Sequence, residues 1–327
     1  MELRDFDKPP LSVAGQAQRL LEKGLVSDCE RLERYLRTIG YYRFSIYWKP
    51  YLITDTKKFR DGTTLDDVLS VYIFDRKLRL TIMEAIERIE ISLRSQWSGM
   101  LALHGGGVSA YTDAKLFKKY HKKHKFNHAE SLGKIKITIK KNEERFIKHH
   151  RDNYTNSDEP PIWAVAQIMT LGELSIWVNG TIEPNTRAEI RSMFCIKDDA
   201  GIEAVFYAIS NIRNICAHHS GLWNRIIKIS LPNDLQNSIS AELCTYKDKS
   251  NQIKVDSHLY NHLVVIEHLL RAINSNSDWK SRLVELLETM DYSHHKQMGF
   301  PIDWKLREPW RSVLEGITDK KKCICDG

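Results

Sequence analysis

LDDVLSVYIFDRKLRLTIMEAIERIEISLRSQWSGMLAL, residues 65–103, is the stretch that decides the fold. Val68, Val71, Tyr72, Phe74, Leu78, Ile82, Ile86, Ile89 and Leu93 recur at helical steps, which lays one apolar stripe along a long α-helix. Asp61-Gly62-Thr63-Thr64 supplies the turn and start ahead of it, and His104-Gly105-Gly106-Gly107 the stop. Upstream, Ala17, Leu20 and Leu21, then Leu32, Tyr35, Leu36 and Ile39, keep the same period and end at Gly40. Downstream, helices are predicted over about 162–171, 200–219, 259–273 and 279–290. The first of these opens behind Asp158-Glu159-Pro160-Pro161. The expectation is an all-α protein in one compact unit. An N-terminal helical segment (1–64) packs on a core (65–230), and a C-terminal helical segment (231–316) and a disordered tail (317–327) follow.

Composition narrows the class. With 42% hydrophobic and 28% charged residues, the chain has the balance of a water-soluble globular protein. It has no eighteen-residue apolar run, so no membrane partner is expected. Its start, MELRDFDKPPLSV, is charged and broken by Pro9 and Pro10, unlike a secretory signal. The cysteines lack CxxC spacing, which fits a reducing, cytoplasmic setting. Cys323 and Cys325 fall in the polar tail. No GxxxxGK[ST], HExxH or GxSxG occurs, which argues against an NTPase, a metalloprotease or a serine hydrolase.

The net charge of +7 has an address. Residues 113–151 hold 13 Lys/Arg against 4 Asp/Glu, and the remaining 36 Lys/Arg and 38 Asp/Glu leave the rest of the chain at −2. This basic insertion carries Lys115, Lys118, Lys119, Lys122, Lys123 and Lys125 interleaved with Phe117, Tyr120, His121, His124 and Phe126, then Lys140 and Lys141. Its only alternating apolar run is Ile135, Ile137 and Ile139. One reading is a mobile basic loop. The other is an RNA-binding surface, with lysines on phosphates and aromatics free to stack. His121, His124 and His128 have metal-like spacing but sit among lysines that repel a cation, so neither a metal nor a cofactor is expected.

Asn211-Ile212-Arg213-Asn214-Ile215-Cys216-Ala217-His218-His219 is the stretch with chemistry in it. At about 100° per residue, Ile202, Val205, Phe206, Ile209, Ile212 and Cys216 form the core stripe. Asn214 and His218 then share a face almost opposite, Arg213 lies on the flank, and His219 turns toward the core. The spacing alone fits a solvated helix face as well as an active site. Arg145 and His150 repeat it inside the basic segment, where the neighbours read as a solvated phosphate-binding face.

Arg213-Asn214-x-x-Ala217-His218, followed by Gly221-Leu222-Trp223-Asn224-Arg225, resembles abortive-infection proteins of the AbiD/AbiF type, members of the HEPN superfamily of helical ribonucleases. The resemblance runs along nearly the whole chain. It includes Lys8-Pro9-Pro10-Leu11-Ser12, Ile39-Gly40-Tyr41-Tyr42-Arg43-Phe44, Phe74-Asp75-Arg76-Lys77-Leu78-Arg79, Pro161-Ile162-Trp163 and Met298-Gly299-Phe300-Pro301. It implies a HEPN-like helical bundle and an endoribonuclease toxin of a phage-defence system. Arg213 and His218 would be the catalytic pair and Asn214 the polar residue beside the arginine. It further implies a homodimer that joins two motifs, cyclic phosphate products, and restraint by a small non-coding RNA. Histidine suits proton transfer near neutrality, and arginine offers a permanent planar charge to phosphorane oxygens. His219 and the helix residues Glu87, Glu90 and Arg94 are candidate supports for the pair. Otherwise Arg79, Glu84, Glu87, Arg88, Glu90 and Arg94 read as an exposed, salt-bridged face. The Tyr41–Trp48 aromatics and Trp163, Trp177, Trp223, Trp304 and Trp310 read as packing residues. The rival class is a structured-RNA-binding protein that uses the same basic surface without cutting. A scaffold for a phage protein is a third.

Overall fold

The computed structural model describes residues 9–121, 126–155, 159–227, 231–239 and 242–313. Expectations that fall on Lys122, Lys123, His124, Lys125, Asp158, Cys323, Cys325 and the 317–327 tail lie outside them. The described chain is all-α apart from two small two-stranded sheets. Among the described residues no helix is long and apolar enough to cross a membrane. The chain divides into two compact units, residues 1–77 and 78–327, and the division falls inside its longest helix.

The first unit holds α1 (Val13–Glu22), α2 (Cys29–Ile39), α3 (Tyr41–Trp48) and the start of α4 (Leu65–His104). Ser12 and Asp28 cap α1 and α2 by accepting from the amides of Gly15 and Arg31. Gly40 (φ 83°) joins α2 to α3 in a backbone conformation that other residues resist. Leu20, Leu32, Leu36, Phe44, Val68, Val71 and Phe74 form its core, as their spacing predicts. Phe44, Tyr47 and Trp48 are buried packing residues, whereas Tyr42 is exposed. The Tyr47 hydroxyl donates to the fully buried Asp75 carboxylate at 2.6 Å.

The second unit is built on the remainder of α4, where Leu78, Ile82, Ile86, Ile89, Leu93, Trp97 and Leu101 are fully buried. The basic segment that follows is folded. β1 (Tyr120–His121) pairs antiparallel with β2 (Phe126–Asn127), and α5 (His128–Lys141) and α6 (Arg145–Asn153) follow. The run Ile135, Ile137, Ile139 lies in α5, with Ile135 and Ile139 buried four residues apart and Ile137 exposed. Backbone bonds between Lys118 and Gly180 (2.7 Å) and between Ile182 and Leu116 (2.8 Å) bind the segment's start to the protein. The mobile-loop reading therefore fails for its described part.

Next come α7 (Ile162–Ile168), α8 (Leu171–Gly180), α9 (Pro184–Met193) and α10 (Asp199–Ala217). Thr170 and Glu173 form a reciprocal capping box at the start of α8. At its end, a Cβ on Gly180 would meet the Phe126 ring at 2.5 Å, so only glycine fits there. The last part comprises α11 (Leu235–Ser238), the β3–β4 hairpin (Thr245–Lys247 with Ile253–Val255), α12 (Leu259–Ile273), α13 (Trp279–Glu288) and α14 (Tyr292–Gln297). Residues 259–270 of α12 are all buried, which makes it the central helix of this part. Trp177, Trp223, Trp304 and Trp310 are buried. Trp163, 48% exposed, is the exception to the packing expectation.

His268 and His295 are two of the imidazoles buried in this part. His268 lies against the Phe194 and Cys195 carbonyls (3.1 and 3.2 Å), and His295 against the Leu287 carbonyl (2.8 Å). Burial pushes both below the ordinary histidine value of 6.5. A group harder to protonate when folded stabilises the fold above its unfolded pKa and loses that contribution as pH falls. The thermal midpoint is therefore expected to drop between about pH 7 and about pH 5. His295→Asn should show a smaller drop, which calorimetry across that range checks.

Candidate functional site

Two helices of the second unit make the site. α10 starts at Asp198, whose carboxylate accepts from the Gly201 amide at 2.7 Å. Gly201 is needed because a Cβ would lie 2.8 Å from side-chain atoms of Ile196 and Ser238. Ile202, Val205, Phe206, Ile209, Ile212 and Cys216 are buried along the predicted stripe. That seating fixes the other faces: Arg213 is half-buried on the flank, and Asn214 and His218 are exposed.

The helix ends two residues sooner than the wheel assumes. Ala217 is the last helical residue and His218 the cap. The His219 amide donates to the Cys216 carbonyl and the Ser220 amide to the Ile215 carbonyl, both at 3.0 Å. These two bonds are the Schellman closure, which requires a left-handed residue after the cap. His219 takes that place at φ 54°. It is exposed rather than turned to the core, which corrects the sequence expectation, because the rotation of 100° per residue stops applying at the cap.

Arg213 faces α4. Its Nε is buried, has no hydrogen-bond partner, and lies 3.9 Å from Glu90 Oε2. Its Nη1 is 3.5 Å from Asn214 Oδ1, so the Asn214 amide sits beside the arginine. Glu90, 8% exposed, forms an ion pair with Arg94 one turn on. Arg94 in turn donates from Nε to the Ala166 carbonyl (3.0 Å) and from Nη2 to the Met169 carbonyl (2.7 Å), groups that α7 leaves open at its end. The Arg213–Glu90–Arg94 set is thus a charged row anchored in backbone.

A pocket of about 520 Å³ opens over this row, lined by Leu80, Met83, Glu84, Glu87, Glu90, Ile91, Arg94 and Arg213. Glu87 is exposed on its rim. Arg282 of α13 grips Glu84 through two hydrogen bonds (2.5 and 2.7 Å), which hold its carboxyl below the usual range. The face is only in part the exposed, salt-bridged array the sequence suggested: Glu87 and Arg88 are exposed and Glu84 and Arg94 are half-buried in ion pairs. Glu90 and Arg79 are buried, and Arg79 reaches the Ser220 carbonyl at 3.5 Å. The apolar part of the pocket was not singled out from the sequence, although Leu80, Met83, Glu87 and Ile91 form a second stripe at helical steps.

The basic residues divide. Lys115, Lys119, Lys140 and Lys141 are exposed, as are Arg145 and Lys148. Lys118 is half-buried and held by Glu203 at 2.6 Å, which commits its charge to the fold. His150, the histidine of the second Arg-x4-His spacing, is buried and stacked on Tyr154 at 4.9 Å, not solvated. His128 is buried too, stacked on Phe117 at 4.8 Å. Among the described residues no group of His, Cys, Asp and Glu is arranged to hold a metal ion.

A family model described as "Abi-like protein" matches residues 34–224, which takes in both helices of the site. No curated protein and no solved structure matches the chain.

Two stability measurements follow from this geometry. Arg94→Met strands a buried carboxylate and two carbonyls, so urea unfolding should show a loss of roughly 3 kcal/mol. His219→Gly relieves the left-handed position and should add about 0.5–1 kcal/mol.

Proposed function

The chain belongs to the family of Abi-like proteins, which points to abortive infection in phage defence, and from that premise we propose that it is a metal-independent endoribonuclease of the HEPN type, close to the AbiD/AbiF branch. The observation that carries this reading is the arrangement on one helix. Arg213 presents a guanidinium over a pocket, anchored from behind by Glu90, while His218 stands exposed at the cap a little over one turn away.

In the reaction, the ribose 2′-oxygen attacks the adjacent phosphorus, the P–O2′ bond forms and the P–O5′ bond breaks. A base takes the 2′-hydroxyl proton and an acid gives one to the departing 5′-oxygen, leaving a cyclic phosphate. His218 serves as one of these groups, since histidine exchanges protons near neutrality. Arg213 neutralises the phosphorane oxygens, and Glu90 limits the positions its guanidinium takes. Asn214, beside Arg213, is placed to hold a phosphate oxygen. His219, at its strained backbone position, has the lesser role of letting the helix end where His218 is exposed.

One chain offers one such histidine, so acid and base come from two copies. Leu80 and Ile91, 60% and 55% exposed on the pocket, provide apolar surface for a second copy to cover. Exposed Lys115, Lys119, Lys140 and Lys141 supply contacts to RNA phosphates, whether of the substrate or of a small non-coding RNA that restrains the toxin.

The test is incubation of the protein with cellular RNA in EDTA, followed by end-group analysis of the fragments. Cleavage to cyclic phosphate ends is expected, with a loss of at least about 100-fold in His218→Ala and RNA affinity kept. Lys140→Glu with Lys141→Glu should instead lower affinity and flatten its salt dependence. Equal cleavage by wild type and His218→Ala would overturn the assignment. RNA binding without cleavage by the wild type would favour the non-catalytic RNA-binding reading.

A further inference from the structure

Helix α6 carries exposed rings to which the nuclease reading gives no task. Two of the rings interleaved with the lysines, Phe117 and Phe126, are unavailable, because both are buried edge-on against Trp177 at 5.1 and 5.6 Å. On α6, Phe146 is 39% exposed and Tyr154, the residue at its C-terminal cap, 55%. His149 is exposed as well.

These side chains form one patch. Phe146 and His149 are three residues apart and Arg145 and His149 four, so both pairs are neighbours on the helix surface. The His149 ring meets Tyr154 edge-on at 6.2 Å. Tyr154 also lies flat on the buried His150 ring, at 4.9 Å with 20° between the planes. That stack covers one face of the tyrosine and fixes its position, so little side-chain freedom is left to lose when a ligand settles on the ring. Tyr154 is still more than half exposed, which makes it a preorganised platform.

Charge decides what stacks there. Residues 140–152 hold Lys140, Lys141, Arg145, Lys148 and Arg151 against Glu143, Glu144 and Asp152, a balance of 5 minus 3, or +2. Arg151 is paired with Glu143 at 3.4 Å, and its Nη1 lies 3.4 Å from the Lys140 and Asn142 carbonyls, which ties the end of α5 to α6. Lys140, Lys141, Arg145 and Lys148 are exposed, and among the described residues none of them is ion-paired. Four uncommitted cations thus outnumber the two remaining carboxylates, Glu144 and Asp152. Flat rings beside free cations suit a ligand with flat faces and a negative charge at each repeat. An RNA strand with unpaired bases has both, whereas a duplex offers phosphates but keeps its base faces stacked on one another.

We propose that α6 is a stacking site for unpaired RNA bases, with Tyr154 and Phe146 as platforms and Arg145 and Lys148 on the adjoining phosphates. This rests on the reading of the basic segment as RNA-binding, but it needs neither cleavage nor His218. A substrate and a restraining small RNA present the same chemistry to this patch.

The experiment is fluorescence anisotropy of a short labelled RNA, single-stranded or duplex, with the full chain in EDTA on a His218→Ala background. Tyr154→Ala should weaken the single strand at least about fivefold. Its salt dependence should be unchanged, since no charge is removed, and duplex affinity should stay as in the parent. Tyr154→Phe should bind like the parent, and Phe146→Ala should lose affinity for the single strand alone. Thermal midpoints check that the variants are folded. With His218 intact, slower cleavage by Tyr154→Ala at limiting RNA places the substrate on the patch, and loss of co-purified small RNA with cleavage unchanged places a resident RNA there. Parent-like affinity for the single strand in folded Tyr154→Ala and Phe146→Ala, an equal loss for the duplex, or Tyr154→Phe as weak as Tyr154→Ala would overturn the proposal and leave the basic-surface reading standing. Absence of RNA binding by the parent at low salt would overturn both.

Discussion

A carboxylate in the interior has to be neutralised, and Glu90 on α4 sets that requirement for the rest of the site. Its nearest cation, Arg94, is itself spent on the carbonyls that α7 leaves open at Ala166 and Met169. The ion pair therefore joins three separate pieces of chain: the long helix, the end of a short one and, through the remaining oxygen, Arg213 on α10. Such a pair adds little to stability when weighed against its desolvation, but removing one partner is costly, and this fixes where the arginine of α10 stands. The unbonded Nε of Arg213 shows that the grip is loose by design of distance. At 3.9 Å the attraction is present while no hydrogen bond joins the guanidinium to Glu90, and among the described residues its one polar contact besides is the long one from Nη1 to Asn214 Oδ1 at 3.5 Å. A group in that condition remains available to an anionic ligand.

Burial periodicity made the fold legible. The stripes of α4 and α10 and the bounds of α12 follow from apolar spacing, because helices seated on a core leave that record in sequence. The placement of Arg213 on the flank, with Asn214 and His218 outside, follows from the same rotation. What the wheel could not carry was the termination. His219 is itself the left-handed residue, and the hydrogen bonds that the His219 and Ser220 amides give to Cys216 and Ile215 decide it, not hydrophobicity. No glycine marks that place, so the usual sign of a Schellman end was missing from the sequence.

Lysine-rich composition concealed α5 and α6 for a related reason. Ile135, Ile137 and Ile139 alternate like a strand, yet only two of them are buried, at the helical distance of four. Lys118 looked equivalent to its neighbours, but its partner Glu203 comes from α10, far along the chain. Long-range ion pairs leave no local pattern, and the same holds for Arg282 and Glu84. Within residues 113–151 Lys118 is committed to the fold by its contact with Glu203, while Lys115, Lys119, Lys140 and Lys141 remain exposed.

The two side chains on α10 are held under different constraints, and the difference fits what the proposed phosphodiester cleavage would ask of each. A cation that stabilises a developing dianion gains most from being preorganised, since reorientation during reaction costs energy that fixed charge avoids. Arg213 has that support in Glu90 and in the packed helix beneath it. In that proposed reaction a proton-transfer group must instead meet a substrate oxygen, the 2′ or the 5′, beyond the protein surface, and His218 stands at the exposed helix cap. Moving the arginine to the cap would cost it its counter-charge, Glu90. The spacing between them is therefore long enough for one residue to stay anchored on the helix body while the other stands at its end.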